Sequence, residues 1–238
     1  MHKGYIMTEN LTVSYQDTVI LSDIHFTCSD SEFVAIVGKS GTGKSTFLKA
    51  LADFIPYTGK IEMPESFGYV FQNYALFPWM TVETNIGFGL EGCSRSQRKK
   101  RVQEMLEKIE MTGYEKKYPA QLSGGQVQRV ALARALAPDP EVMLMDEPYG
   151  ALDHHTREKM QSWLLSIWKE TQKTILFVTH YIEEAVFLAD RIIVVSDKKF
   201  IADIPVPFSR PRSDQMRFSN DFLKTKFDVL EYMQETSR

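Results

Sequence analysis

The chain has 238 residues, 43% of them hydrophobic and 25% charged, with a formal net charge of -3 and two cysteines. That length and apolar content suffice for one large core, and the slight acidity speaks against bulk nucleic-acid binding. Cys28 and Cys93 stand far apart without metal-ligand spacing, so two free thiols in a reducing compartment are expected.

In chain order, residues 5–28 ("YIMTENLTVSY", "VILSDIHFTC") alternate as two antiparallel strands would. The N-terminal stretch "MHKGYIMTENLTVSY" lacks the apolar run of a signal peptide. "EFVAIVG" (32–38) is a short apolar run that reads as a buried strand. It ends in "GKSGTGKS", after which "KSTFLKALADF" reads as a helix, and "FGYVFQ" (67–72) as another strand. From about Asn73 to Pro138 the pattern is mainly helical, with one apolar face at Val102, Met105, Leu106 and Ile109 and another from Val130 to Ala137. "RSQRKKR" (95–101) opens one of these helices and reads as a solvated face rather than a nucleic-acid patch. Strands return at 141–148, 174–180 and 191–196. Between them, Met160, Trp163, Leu164, Ile167 and Trp168, then Ile182, Ala185, Val186 and Ala189, fall at helical spacing as core stripes. Alternating strands and helices predict an α/β fold with a parallel sheet covered on both faces, interrupted by a helical insert. No run approaches the ~18 apolar residues needed to cross a bilayer, so any membrane role is expected to act through a partner.

"GKSGTGKS", Gly38 to Ser45, fits G-x-x-x-x-G-K-[ST] between a strand and a helix. Gly38, Gly41 and Gly43 let the backbone aim N–H groups at phosphate oxygens, and the helix start adds its positive dipole end. Lys44 can reach β- and γ-phosphates, and the Ser45 hydroxyl can ligate Mg²⁺. "VMLMDEP" ends a buried strand in Asp146, placed to hold the metal through water, with Glu147 next to it as the group that orients or deprotonates an attacking water. Gln72 and His180 end two further strands, on the side where ligands bind such sheets. There Gln72 would bridge metal and water, and His180 would bond the γ-phosphate.

A second anion grip stands about 80 residues on, at "LSGGQ". Ser123, Gly124 and Gly125 precede a helix and can offer N–H groups and a dipole to an anion. An ordinary N-cap accounts for the serine but leaves the glycines and Gln126 unexplained. The helical insert would carry this stretch away from the first loop, so two copies placed head to tail are expected to close both grips on each nucleotide.

In the order "GKSGTGKST", "VFQ", "LSGGQ", "VMLMDEP", "ALD", "VTH", the chain resembles the ATP-binding subunits of ABC transporters over about residues 5–205. The resemblance implies a P-loop NTPase core with a mainly parallel sheet, an N-terminal antiparallel β subdomain and an α-helical subdomain at about 73–138. One such domain would span 1–238, with a helical tail at about 213–235. It implies ATP and Mg²⁺ as ligands. Gly38, Lys39, Ser40, Gly41, Thr42, Gly43, Lys44, Ser45 and Thr46 would form the Walker A loop. Gln72 would be the Q-loop residue and Ser123, Gly124, Gly125 and Gln126 the signature. Asp146 would be the Walker B aspartate, Glu147 the catalytic base, Asp153 the D-loop aspartate, His180 the switch histidine, and Tyr15 the ring that stacks on adenine. A strand tyrosine at a sheet edge is the alternative for Tyr15.

"LFPWMTVETNIGFGL", "EEAVFLADRIIVVS" and "SRPR" (209–212) look most like the nitrate, sulfonate, taurine and pyrimidine-precursor importer group. That implies separate membrane permease subunits, an indirect link to a solute-binding protein, and a peripheral place on the cytoplasmic face of a bacterial membrane. Exposed Phe77, Pro78 and Trp79 would suit the permease contact; packing inside the helical lobe is the other reading. Leu223, Phe227 and Leu230 lie at helical spacing for docking of the tail. The segment before Gln72 is shorter than the family shows, so a strand hairpin is expected to be trimmed, and Tyr181 stands where an aspartate is common. An ABC-type ATPase with a non-transport role is the alternative, though such relatives carry long coiled coils or tandem cassettes.

Overall fold

A computed structural model describes residues 5–90 and 92–235; the part of the N-terminal reading that rests on residues 1–4 lies outside them. Strands β1 (Ile6–Tyr15) and β2 (Thr18–Cys28) form the expected antiparallel pair. A third strand, β4 (Thr58–Glu62), joins the other edge of β1, giving the order β2-β1-β4. Its sequence, "TGKIE", has one large apolar residue, so periodicity could not reveal it.

The larger sheet contains β3 (Phe33–Val37), β5 (Phe67–Val70), β6 (Val142–Asp146), β7 (Thr174–Val178), β8 (Arg191–Ser196) and β9 (Lys199–Pro205), in the order β5-β6-β7-β3-β8-β9. The first five run parallel; β9, also not foreseen from sequence, turns back antiparallel on β8. Every residue of β3, β6 and β7 is buried, which is why these runs read as continuous rather than alternating apolar. The pleat splits them between two cores. Phe33, Ala35, Met143, Met145, Ile175 and Phe177 face one, with Trp168 and Phe187. Val34, Ile36, Leu144 and Val178 face the other, with Phe47, Leu21 and Phe26.

Helix α1 (Lys44–Leu51) follows β3 directly. The expected helical stretch contains α2 (Val82–Ile86), α3 (Arg95–Lys108) and α4 (Gly124–Leu136), all between β5 and β6. Ser94 and Gln97 start α3 with a reciprocal capping box. Arg95 through Lys100 are exposed, as the solvated-face reading expects, but Arg101 is not spent on solvent. Its guanidinium donates to the carbonyls of Ala137 and Leu136 and closes the end of α4. Helices α5 (His154–Thr171) and α6 (Ile182–Leu188) bury Met160, Leu164, Ile167 and Trp168, then Ile182, Ala185 and Val186, as their spacing predicts, while Trp163 stays partly exposed.

Helix α7 (Asn220–Glu235) lies on α6 and β8, and of the three residues expected to dock it only Leu230 packs on the core. Phe222, Thr225 and Val229 are buried, whereas Leu223 and Phe227 are 42% and 62% exposed. The tail carries two apolar stripes at helical spacing, and docking selects the one that meets Phe208.

The "SRPR" stretch has a structural task. Arg210 donates to the Leu188 carbonyl and Asp190 and lies 4.0 Å over the Trp168 ring. Arg212 donates to the carbonyls of Val186, Phe187 and Phe208. Together they cap the C-terminal end of α6, the helix that follows His180. Arg210→Ala is expected to cost about 2 kcal/mol by loss of the stacked cation and two charge-assisted hydrogen bonds, read as a lower urea midpoint at unchanged slope.

Candidate functional site

The C-terminal ends of β3, β6 and β7 and the segment after β5 meet on one side of the sheet. They carry the Gly38–Ser45 loop, Asp146 with Glu147, His180, and Gln72 respectively. The loop is shaped by its glycines. A Cβ on Gly38 would sit 2.4 Å from the Val195 carbonyl oxygen. Gly43 has φ of 100° and no room beside Leu21 and Ile20 of β2. Lys44 is buried and its ammonium donates at 2.9 Å to the carbonyls of Gly38 and Lys39 inside the loop. Burial pulls that ammonium below its ordinary pKa, against the raising effect of the Glu147 and Asp146 charges. Lys39, Ser40 and Gly41 are exposed at the mouth, with Thr42 and Thr46 partly so.

Ser45 Oγ donates to Asp146 Oδ1 at 2.7 Å. Burial raises the Asp146 carboxyl above the usual range, the Ser45 hydrogen bond lowers it, and the Glu147 charge raises it further. A hydroxyl and a carboxylate held together, both hard oxygen donors, fit Mg²⁺ completed by phosphate oxygens and water. Among the described residues no group of three or more His, Cys, Asp or Glu could hold a metal.

Glu147 sits just past β6 with φ of 43°, a left-handed conformation uncommon for a non-glycine residue. Its N–H donates to the Val178 carbonyl of β7, which fixes that turn. Two side chains distant in sequence converge on its Oε2. Gln72 Nε2 donates at 3.1 Å, and His180 Nδ1 lies 3.3 Å away, a hydrogen bond when that nitrogen carries the proton. The structure therefore brings Gln72, Glu147 and His180 onto one oxygen atom, beside Ser45 and Asp146. Tyr15, 46% exposed, ends β1 opposite Thr18, at the end of the β1–β2 hairpin whose Ile20 and Leu21 abut Gly43.

The signature stretch is held elsewhere. Ser123 caps α4, accepting from the Gln126 N–H, while Gln126 Oε1 accepts from the Ser123 N–H at 2.9 Å. This corrects the sequence argument that a cap leaves Gln126 unexplained: S-x-x-Q is a capping box, legible in the sequence. The glycines also have a packing reason. A Cβ on Gly124 would come to 3.2 Å of Leu152 Cδ2, and one on Gly125 to 3.1 Å of Thr156 Cγ2. The α4 start therefore packs on the loop before α5, where Asp153 caps α5 by accepting from the Thr156 N–H. The contacts shown for Gly124 and Gly125 are with Leu152 and Thr156, and those for Ser123 with Gln126; none is with Gly38–Ser45. Ser123 and Gly124 remain exposed.

Sequence reasoning missed the groups behind His180. Thr179 donates to the buried Glu184 carboxylate at 2.6 Å and accepts from the Tyr181 N–H. Burial pushes the Glu184 carboxyl up to about 7, the Thr179 hydrogen bond and the charges of Arg157 and Arg217 working against it. The Thr179–Glu184 bond is local, but Arg157 on α5 and Arg217 near the chain end reach Glu184 only through the fold, which a linear reading does not mark. Phe77 is corrected as well: it is partly buried, 4.5 Å from Phe88, with the Arg134 guanidinium over its ring. Pro78 is exposed and Trp79 is 70% exposed.

A family comparison matches residues 21–150 to the ABC transporter family. The chain is 43% identical to the taurine import ATP-binding protein TauB of Escherichia coli O157:H7, covering 86% of both chains. It is 45% identical to the aliphatic sulfonates import ATP-binding protein SsuB of Bacillus licheniformis, covering 81% of each. Among solved structures it resembles the dimeric structure of MJ0796, a bacterial ABC transporter cassette, with a TM-score of 0.75 at 32% identity, covering 86% of this chain and 100% of that one. A dimeric post-hydrolysis state of the same cassette bound to ADP and Pi matches with a TM-score of 0.74.

Proposed function

The chain belongs to the ABC transporter family, and from that premise we propose that it is the ATP-hydrolysing subunit of an importer, a single cassette that drives separate membrane permease subunits. The observation that carries this is the convergence of Gln72 and His180 on Glu147 Oε2 beside the Ser45–Asp146 pair and the phosphate loop. The N–H groups of Gly38–Ser45 and the Lys44 ammonium hold the phosphates of ATP, and Tyr15 offers its exposed ring to the adenine. Ser45 and Asp146 would hold Mg²⁺, which when bound would neutralise phosphate charge. Gln72 and His180 orient the attacking water and the γ-phosphate. Glu147 takes the proton as the water oxygen bonds to the γ-phosphorus and the bond to the ADP oxygen breaks. Asp153, Ser123, Gly124, Gly125 and Gln126 serve a nucleotide bound by the partner copy, head to tail.

The permease contact is assigned to a groove of about 810 Å³ between α2 and α3, lined by Met80, Glu83, Phe88, Arg95, Arg98 and Lys99. Exposed Trp79 lies beside it in sequence. The groove lies in the helical lobe, away from the phosphate loop, as a surface that transmits rather than performs hydrolysis would. Among the described residues no helix is long and apolar enough to cross a membrane, and attachment at the cytoplasmic face through this groove supplies the location. Because TauB and SsuB are named for taurine and aliphatic sulfonates, small sulfonates are the first cargo to test. With the cognate membrane subunits in vesicles, ATP and Mg²⁺ are expected to drive sulfonate uptake and phosphate release, and EDTA to stop both. Phosphate release that continues in EDTA would overturn the reading.

A further inference from the structure

The residue after His180 is Tyr181, and it is bound into a bridge that reaches the opposite edge of the site. The two rings lie 4.0 Å apart, centroid to centroid, at 39°. The Arg157 guanidinium lies 3.9 Å over the Tyr181 ring, and its Nη2 donates both to the Tyr181 hydroxyl at 3.3 Å and to the Leu152 carbonyl at 3.0 Å. Leu152 precedes Asp153 and receives Gly124 of the signature turn against its side chain. Behind the bridge, Glu184 is almost fully buried and lies 3.5 Å from Arg157 Nε, so the guanidinium is anchored from below.

We infer that Arg157 and Tyr181 are positioning residues that tie the placement of the His180 ring to the Leu152–Asp153 loop. This rests on the reading of His180 as the γ-phosphate residue. A guanidinium on an aromatic face favours a fixed plane for that ring, and a ring so fixed leaves its stacked neighbour fewer orientations. Arg157 touches both Tyr181 and the Leu152 carbonyl, so a shift of that loop moves the platform under His180. The loop also meets the start of α4, so the docking of a second copy at Ser123–Gly125 would reach His180 through a chain of direct contacts. The charged groups that face His180 and Tyr181 are Glu147 past β6 and Arg157 on α5, and Glu184 on α6 pairs with Arg157. An arginine in a hydrogen-bonded fork cannot be replaced by lysine without losing the stacked plane.

The test is steady-state ATP hydrolysis by the full chain. Tyr181→Leu is expected to lower kcat about tenfold with the KM for ATP held within about twofold, and Tyr181→Phe to restore the rate to within about threefold. Arg157→Lys, which keeps a cation against Glu184, is expected to lower kcat with Tyr181 present and to add nothing in the Tyr181→Leu background. Full kcat in Tyr181→Leu, or equal losses from Arg157→Lys in both backgrounds, overturns the bridge. His180→Ala serves as the reference. Should it retain turnover, the role of His180 itself fails, and the bridge with it. Should it be inactive while Tyr181→Leu keeps the parental kcat, the bridge alone fails.

Discussion

Glu147→Gln is expected to bind ATP as the parent does and to lose about 10²–10⁴-fold in turnover, the range that a positioned general base contributes. The argument is geometric. Glutamine has the same shape and keeps an oxygen that can accept from Gln72, so the left-handed turn at φ 43° and the N–H bond to Val178 are kept. What is lost is the negative charge and the capacity to take a proton. The ATP contacts proposed above reside in Gly38–Ser45 and Tyr15, which the substitution does not touch. Fluorescent-nucleotide titration checks binding and phosphate release checks turnover. Equal hydrolysis by variant and parent would show that the base lies elsewhere.

The second large effect concerns pairing. Lys44→Ala should weaken nucleotide binding by about 10²-fold, since charge-assisted hydrogen bonds contribute ~1.5–3 kcal/mol each. Ser123→Arg should cut turnover comparably by placing a long side chain at the exposed cap of α4. Neither variant forms a competent site with its own kind if each site draws Lys44 from one copy and Ser123 from the other. Mixed in equal amounts, however, half of the dimers hold one site built from two intact halves. Turnover should then recover to about a quarter of the parental value with each site acting alone, measured as phosphate release against mixing ratio. A mixture no more active than its components would remove the head-to-tail arrangement.

The sequence made the chemistry legible because short-range geometry dictates it. A loop that wraps phosphate needs glycine where φ is positive or a Cβ has no space, as at Gly43 and Gly38, and the lysine and serine must follow at once. Buried parallel strands cannot alternate, so β3, β6 and β7 announced themselves, and Asp146 and His180 stood at strand ends. The edge strands β4 and β9 escaped notice because they are partly exposed, and partner strands rather than apolar periodicity define them. Two of the three residues expected to dock the tail, Leu223 and Phe227, are exposed; they satisfy helical spacing as well as Phe222 and Val229 do, while Leu230 packs as expected. The setting of Tyr181 was equally out of reach, since that residue looks like a departure until Arg157 is seen over its ring.

By itself, the order of residues determined the family, through the succession of its motifs along the chain, and the phosphate loop, the carboxylate pair and the capping serine, which depend on neighbours within a few positions. Only the tertiary structure decided that Gln72 and His180 share one oxygen of Glu147, that the signature glycines make room for Leu152 and Thr156, and that Arg157 connects the two regions. Those contacts join segments tens of residues apart, and sheet order and helix docking, rather than local spacing, bring such segments within hydrogen-bond reach.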